Sequence, residues 1–335
     1  MVARVSGLAH FPRFRLSPNS GIAWPMTLGI ICASQILTMI LVTGGLGVMG
    51  STLVKGLADR GFKVRVLDNS DRFRSRLDGY DVDIRIGDIT RPESLAGCFD
   101  DVDTVYHLAA VLIVYDPSLF EKINVGGTRN IIDASIKAGV KHFILVSSAS
   151  VTYAHTTPYS LSKRETERLI KAQTTMKWTI VRPTLAYNES GGEEFNMFLA
   201  YLKKYPVVPF IGAGRSLKRP VHCDDLMKGF LAIAGNPKTY GKTYAFSGGE
   251  AIAIRDMARL MLKHVGQEKP FITIPIPICR LVAFFAERFQ KKPILTWNAI
   301  AGVMQDANLD NSEARADLDY QPVSFREGLQ KAYPI

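Results

Sequence analysis

The sequence predicts an α/β protein with a doubly wound parallel sheet and a smaller, mixed C-terminal part. Three observations carry this expectation. From Met39 onward, short runs rich in Val and Ile alternate with longer amphipathic segments; a glycine-rich turn follows the first run; and the strict alternation is lost after Pro183. The runs are 39–43 (MILVT), 63–68 (KVRVLD), 83–88 (DIRIGD), 104–109 (TVYHLA), 142–147 (HFILVS) and 178–183 (WTIVRP). Helices are expected between them at 50–60, 91–99, 120–138 and 158–171. Beyond Pro183, segments 193–205, 224–234, 254–265 and 277–289 read as helices and 242–248 as a further strand. This second part is expected to pack over the carboxyl ends of the strands, where open α/β sheets place their ligands.

Composition narrows the class. The chain has 335 residues, 47% of them hydrophobic, which supports a sizeable core. Its net charge of +10 is spread along the chain rather than gathered in a block, which argues for a solvated basic surface and against a nucleic-acid partner. Cys32, Cys98, Cys223 and Cys279 lie far apart with no metal-ligand spacing, so no metal is expected and the thiols read as reduced, in a cytoplasmic protein. In the first 38 residues, Arg4, Arg13 and Arg15 precede an apolar stretch that resembles a signal anchor. That stretch ends in Ile40, Leu41 and Val42, which are needed as the first strand, so residues 1–38 read as an extension dispensable to the fold rather than a membrane anchor.

Gly44, Gly47 and Gly50 stand between an apolar strand and the start of a helix. Small residues there allow a tight turn and close approach of a pyrophosphate to the backbone, while a helix N-terminus favours the anion. Asp68 ends the second strand about 20 residues on, where a carboxylate can bond both ribose hydroxyls and repel a 2′-phosphate. NAD is therefore expected rather than NADP, with Arg72 and Arg74 near enough in sequence to weaken the discrimination. Asp88, ending the third run, reads either as a group reaching the adenine edge or as a strand-end cap.

Tyr159 and Lys163, four residues apart on an expected helix, share a face, and Ser147 and Ser148 end the preceding strand. A phenol is a poor base near neutrality, and a nearby ammonium favours its ionised form. Ser148 can orient a reacting oxygen toward Tyr159, so the trio points to acid–base catalysis beside a nucleotide. Asn124 reads as a proton relay or as a bond to backbone groups, and His107 as a packing histidine.

With these residues in place, the chain from Met39 to about Tyr333 resembles the extended branch of the short-chain dehydrogenase/reductase superfamily, the NAD-dependent epimerases and dehydratases, with 3β-hydroxysteroid dehydrogenase-like relatives. The resemblance rests on TGGLGVMG at 43–50, GDITRPESL at 87–95, VYHLAA at 105–110, NVGGTRNIIDA at 124–134, LVSSAS at 145–150, YSLSK at 159–163, VRPTLAY at 181–187, RPVHCDDL at 219–226 and LDNSEARADLDYQP at 309–322. It implies a Rossmann-type core over 39–183 that carries the catalytic residues Ser148, Tyr159 and Lys163, and a mainly substrate-binding part over 184–335. Cofactor contacts are implied at Gly44, Gly47, Val48, Met49, Gly50 and Asp68. Further contacts are implied at Asp88, Ile89, Leu108, Ala109, Ala110, Asn124, Tyr159, Lys163 and Pro183. A homodimer is also implied.

The substrate expected from this resemblance is a small molecule with a secondary alcohol or carbonyl, foremost a nucleotide sugar, with Tyr187 toward it; Arg215, Arg219 and Lys218 read either as ligands of a diphosphate on the substrate or as exposed loop charges. Two departures weigh against a standard 4-epimerase: only ASVTYAHTTP separates Ser148 from Tyr159, and LAYNES lacks the usual glycine after the tyrosine. The alternatives are a 3β-hydroxysteroid dehydrogenase-like enzyme on an apolar alcohol and a non-catalytic NAD-binding protein. The apolar stripe containing Ile276, Ile278, Leu281, Val282, Phe284 and Phe285 reads first as core. Its other readings are a route for a lipid-like substrate or a membrane contact beside Arg288, Lys291 and Lys292.

Overall fold

The computed structural model describes residues 38–114, 116–188, 192–290 and 295–332. The expectations for residues 1–37, including Cys32, and for Lys291 and Lys292 lie outside the described residues. The central sheet contains β1 (Met39–Thr43), β2 (Lys63–Asp68), β3 (Asp83–Ile86), β4 (Val102–His107), β5 (His142–Val146), β6 (Lys177–Pro183) and a seventh strand, Lys242–Phe246. All are parallel, in the order seventh strand, β6, β5, β4, β1, β2, β3. Chain direction across the sheet reverses between β1 and β4, and the crevice beyond their carboxyl ends is the switch point at which such sheets bind ligands.

Strand alternation sorts the core into two layers. In β1, Ile40 and Val42 face a cluster with Leu53, Val64, Tyr106 and Phe230, while Leu41 faces another with Val105, Ile131, Phe143 and Ile170. The expected helices mostly form: α1 (Val48–Ala58), α2 (Gly127–Ala138) and α3 (Pro158–Ala172) in the first half, α4 (Glu193–Lys204), α5 (Cys223–Ile233), α6 (Ile254–His264) and α7 (Ile276–Phe289) in the second; α8 (Trp297–Met304) has no counterpart among the expected segments. Two short helices at the end, α9 (Ser312–Leu318) and α10 (Phe325–Ala332), were not foreseen. The helix expected at 91–99 shrinks to one 3₁₀ turn, Pro92–Leu95, because Pro92 fixes its start and Gly97 at φ 71° breaks the helix beyond it. The segment 120–138 divides into a π-helical turn, Phe120–Gly126, and then α2.

The strand beyond Pro183 sits in the central sheet, its Lys242 level with Thr179 and its Phe246 level with Pro183 in β6. Helix α5 likewise packs on the core: a Cβ at Gly56 would meet Leu231 at 2.8 Å, and the Tyr106 hydroxyl donates to the Phe230 carbonyl at 2.8 Å. Parts of the chain on both sides of residue 183 therefore build one sheet. A third cluster of Tyr187, Phe195, Phe210, Met257 and Phe325 holds the rest of the second part together.

Two expectations about burial are corrected by the structure. Tyr187 is completely buried, stacked on Phe195 with ring centroids 4.9 Å apart, so it is a core residue and not a substrate contact. The apolar stripe of α7 is not core: only Cys279 and Ala283 of that helix are buried, Ile276 is half-buried beside Gly212, and the other large apolar side chains of the stripe face solvent. Cys98, Cys223 and Cys279 are buried free thiols. Among the described residues no helix is long and apolar enough to cross a membrane, and no cluster of His, Cys, Asp and Glu could hold a metal ion.

Candidate active site

The glycine turn is built for close approach. Gly44 sits at φ 69°, and a Cβ on it would lie 3.0 Å from the Ala109 backbone. At Gly50 a Cβ would lie 2.1 Å from the Gly44 carbonyl oxygen, so α1 can only pack this tightly on the turn with glycine there. Helix α1 has no side-chain cap and no acid in its first turn, which leaves its N–H groups and the positive end of its dipole for an anion. Val48 and Met49 are half-buried in this first turn, and Leu108 and Ala109, half-buried beyond β4, lie with their backbone against Gly44.

Asp68 closes the turn from the side of β2. Its Oδ2 accepts from the Leu46 N–H at 2.9 Å and its Oδ1 from the Asn69 N–H at 2.9 Å, while the side chain stays half-exposed. A carboxylate oriented in this way keeps lone pairs for two vicinal hydroxyls. The cradle, the uncapped helix and the oriented acid all fit a dinucleotide. Arg76, unforeseen from sequence, donates to the Leu46 carbonyl at 2.7 Å, and Arg72 and Arg76 stack on Phe73 with guanidinium carbons 5.1 and 4.2 Å from the ring centroid. Its signal was local: an aromatic among arginines just after the acid that ends β2. Asp88 acts at least as a cap, with Oδ1 accepting from the Thr90 N–H at 2.9 Å and its hydroxyl at 2.8 Å. Ile89 is buried against Gly127, and Ala110 is exposed at the mouth.

Asn124, in the π-helical turn, has no exposed surface. Its Oδ1 accepts from the Val111 N–H at 2.8 Å, and its Nδ2 donates to the Val111 carbonyl at 3.0 Å and the Ser162 hydroxyl at 3.1 Å. It thus fixes the wall of the crevice through backbone bonds and does not touch a cofactor directly, correcting the contact expected for it. His107 is the packing histidine anticipated: it bonds Thr43 at 2.7 Å and Thr128 at 2.9 Å, and burial lowers its pKa to about 3, which keeps it neutral.

The two serines after β5 separate in role. Ser147 is buried and donates to Glu167 at 2.6 Å. Ser148 caps the 3₁₀ turn Ala149–Thr152, accepts from the Ser150 N–H and hydroxyl at 3.2 and 3.0 Å, and lies near enough to the Tyr159 phenol to favour its ionised form. Tyr159 lies within the capping box that Thr157 and Ser160 form at the start of α3, its ring meeting Phe120 edge to face with centroids 5.8 Å apart. Burial, reinforced by nearby Glu194, pushes its phenol well above the usual range, and Ser148 opposes this. The phenol is thus protonated at neutral pH. Lys163, one turn on, is buried and donates from Nζ to the Val146 carbonyl at 2.9 Å; burial brings its pKa down to about 8, opposed by Glu167. The structure therefore brings Ser148 beside Tyr159 and holds Lys163 against the end of β5.

On the substrate side, Lys218 is buried and donates to the Gly302 carbonyl at 2.9 Å and to the Gln305 carbonyl. It anchors α8, so the phosphate role expected for it is corrected. Arg215 is exposed, and Arg219 is half-buried with an Nε that has no hydrogen-bond partner. Pro183 is half-buried at the end of β6. The short loop before Tyr159 is clamped to α8: Gln305 accepts from the His155 N–H at 2.6 Å and donates to its carbonyl at 3.0 Å, and the Trp297 indole donates to the His155 ring at 3.0 Å.

The chain is similar to proteins of known family. The family model described as "NAD dependent epimerase/dehydratase family" matches residues 40–246. A 3 beta-hydroxysteroid dehydrogenase/Delta 5-->4-isomerase of Mycobacterium tuberculosis is 28% identical, over 89% of this chain and 90% of that protein. A UDP-glucose 4-epimerase of Vibrio cholerae is 26% identical, over 87% of this chain and 93% of that one. The crystal structure of DesIV, a dTDP-glucose 4,6-dehydratase from Streptomyces venezuelae with NAD and TYD bound, superposes with a TM-score of 0.70 at 22% identity, covering 88% of this chain and 96% of that one; this likeness is one of fold.

Proposed function

Since the chain belongs to the NAD dependent epimerase/dehydratase family and is an NAD-dependent enzyme, we propose that it oxidises the secondary alcohol, or reduces the corresponding ketone, of an apolar molecule. The observation that carries this choice is the surface around the Tyr159 loop. Lys218 is tied to α8 rather than left for a phosphate. The segments bordering the loop instead expose Leu112, Ile113, Met197, Trp297 and Met304. Helix α8 bonds the loop through His155, the 111–114 segment is held by Asn124 against Ser162 of α3, and α4 carries the Glu194 that acts on Tyr159. An apolar guest would bury this surface, whereas a diphosphate would leave it wet.

Bound NAD supplies the acceptor or donor of the carbon-bound hydrogen with its electron pair. The rest is done by this chain. In the reductive direction, the protonated Tyr159 phenol donates its proton to the substrate oxygen, which Ser148 steadies by a hydrogen bond; in the oxidative direction Tyr159 takes that proton back. Lys163, when cationic, favours the phenolate left behind, and its place at the end of β5 suits a bond to the ribose of the nicotinamide half. Gly44, Gly47, Gly50 and the α1 N-terminus hold the pyrophosphate, and Asp68 the adenosine ribose. Replacing Asp68 by Ala should weaken NAD binding by roughly 10- to 100-fold, the loss of charge-assisted hydrogen bonds of about 1.5–3 kcal/mol, as read by calorimetric titration. An unchanged Kd would remove the ribose role.

A nucleotide sugar is the second reading, and one observation favours it. The Arg219 Nε is buried with no partner, as expected of a group awaiting an anion. Full-length protein with NAD, offered hydroxysteroids and long-chain secondary alcohols beside UDP- and dTDP-sugars, separates the two. Reduced cofactor is expected to accumulate with the apolar alcohols. If only sugars are converted, as seen by chromatography, and Arg219→Met lowers their kcat/KM, the apolar reading is wrong.

A further inference from the structure

Helix α7 inverts the usual arrangement of a surface helix. It lies on the protein through Cys279, Ala283 and the half-buried Ile276, and turns its other large apolar residues outward. Ile278, Leu281, Val282, Phe284, Phe285 and Phe289 are all exposed, from 49% at Val282 to 78% at Phe289. At 100° per residue these positions span one continuous outer arc. Arg288 shares that arc, and no acid does. The remaining charges of the helix are turned toward α8: Glu287 accepts from the Trp297 N–H at 2.9 Å, and Arg280 stacks on the Trp297 ring at 4.8 Å.

We propose that this face of α7 docks on an anionic membrane surface, with its Leu, Ile and Phe side chains entering the acyl boundary. Charge selects this occupant. The one charge on the outer arc, Arg288, is positive, and the chain as a whole carries a net +10, so the ridge of three phenylalanines approaches acidic headgroups without repulsion. The face is a convex ridge of a single helix, whereas a protein groove would require a polar rim able to hydrogen-bond a partner. Docking here would hold α8, and through it the His155 loop before Tyr159, close to the lipid phase. Membrane docking is independent of which alcohol is turned over, because its readout is binding.

The test is sedimentation of full-length protein with vesicles of phosphatidylcholine, with and without phosphatidylglycerol. The expected result is binding to the anionic vesicles that weakens as salt rises. It should fall at least about tenfold in the double variant Leu281→Glu, Phe285→Glu. Both side chains face solvent, so the melting temperature of that variant in the absence of lipid should match the parent. Equal binding by parent and variant would overturn the proposal and assign lipid affinity to another segment, such as residues 1–38. No binding by the parent would overturn it too. So would a dimer in sedimentation velocity that the two substitutions dissociate, since a second copy would then be what covers the ridge.

Discussion

Tyr159→Phe is expected to lower kcat by ~10³-fold in both directions while leaving the affinity for NAD within about twofold, because a positioned acid–base group contributes 10²- to 10⁴-fold. Phenylalanine keeps the ring edge on Phe120 and the packing at the start of α3, so the change isolates the hydroxyl beside Ser148. The pH dependence gives a second readout. Burial raises the Tyr159 phenol, so at neutral pH it holds a proton ready for a ketone oxygen. Reduction should therefore be supported through neutrality. Oxidation needs the phenolate and should climb as pH rises, with the climb blunted once Lys163 loses its own proton near its lowered value of about 8. In Tyr159→Phe the residual rate should show neither dependence. A variant that retained the parent rate would remove Tyr159 from the reaction and leave the non-catalytic NAD-binding reading standing.

The parts of this molecule that were legible in its sequence are those fixed by local chemistry. The glycine turn at 44–50 and the strands around it declare themselves through backbone demands that few residues satisfy. The strand at 242–246 was equally legible as a strand, yet its place beside β6 was not, because that pairing joins segments some sixty residues apart and leaves no local trace. Side-chain direction was the other hidden quantity. Tyr187 and Lys218 lie in motifs next to a cleft, and nothing in their spacing says that one turns into an aromatic core and the other onto the carbonyls of α8. The outward face of α7 was misread for a related reason: an apolar stripe at helical spacing normally finds a core, and the smaller counter-stripe of Cys279 and Ala283 was the sign that it would not.

Glu167 was missed although α3 advertised it. Its buried positions include Ser160, Lys163, Glu167 and Ile170, a single face that carries a carboxylate where an apolar residue would serve packing better. The carboxylate accepts from Ser147 at 2.6 Å and from Arg182 at 2.9 and 2.7 Å. Glu167→Gln should destabilise the fold by about 2 kcal/mol in urea unfolding, because it leaves a half-buried guanidinium facing an amide instead of its counter-charge. Glu167→Leu combined with Arg182→Met should recover most of the loss, since the penalty belongs to the uncompensated charge and not to the absence of the pair.

The response to acid has a definite sign. Although burial alone raises the Glu167 carboxyl, its bonds to Arg182 and Ser147 bring it below the usual glutamate range. Its stabilisation is therefore fully present above the unfolded value and lost as pH falls through the lower folded one, so the parent and Glu167→Gln should converge in stability at acid pH. The same carboxylate raises the pKa of Lys163 against the effect of burial. Its removal should therefore lower the Lys163 pKa further below about 8 and move the alkaline limb of the oxidative pH profile toward neutrality. A purely structural glutamate would change stability and leave that limb where it is. A stability loss without a shifted profile would thus confine Glu167 to the fold, and the shift together with the loss would make it the group that positions and charges the lysine beside the candidate acid.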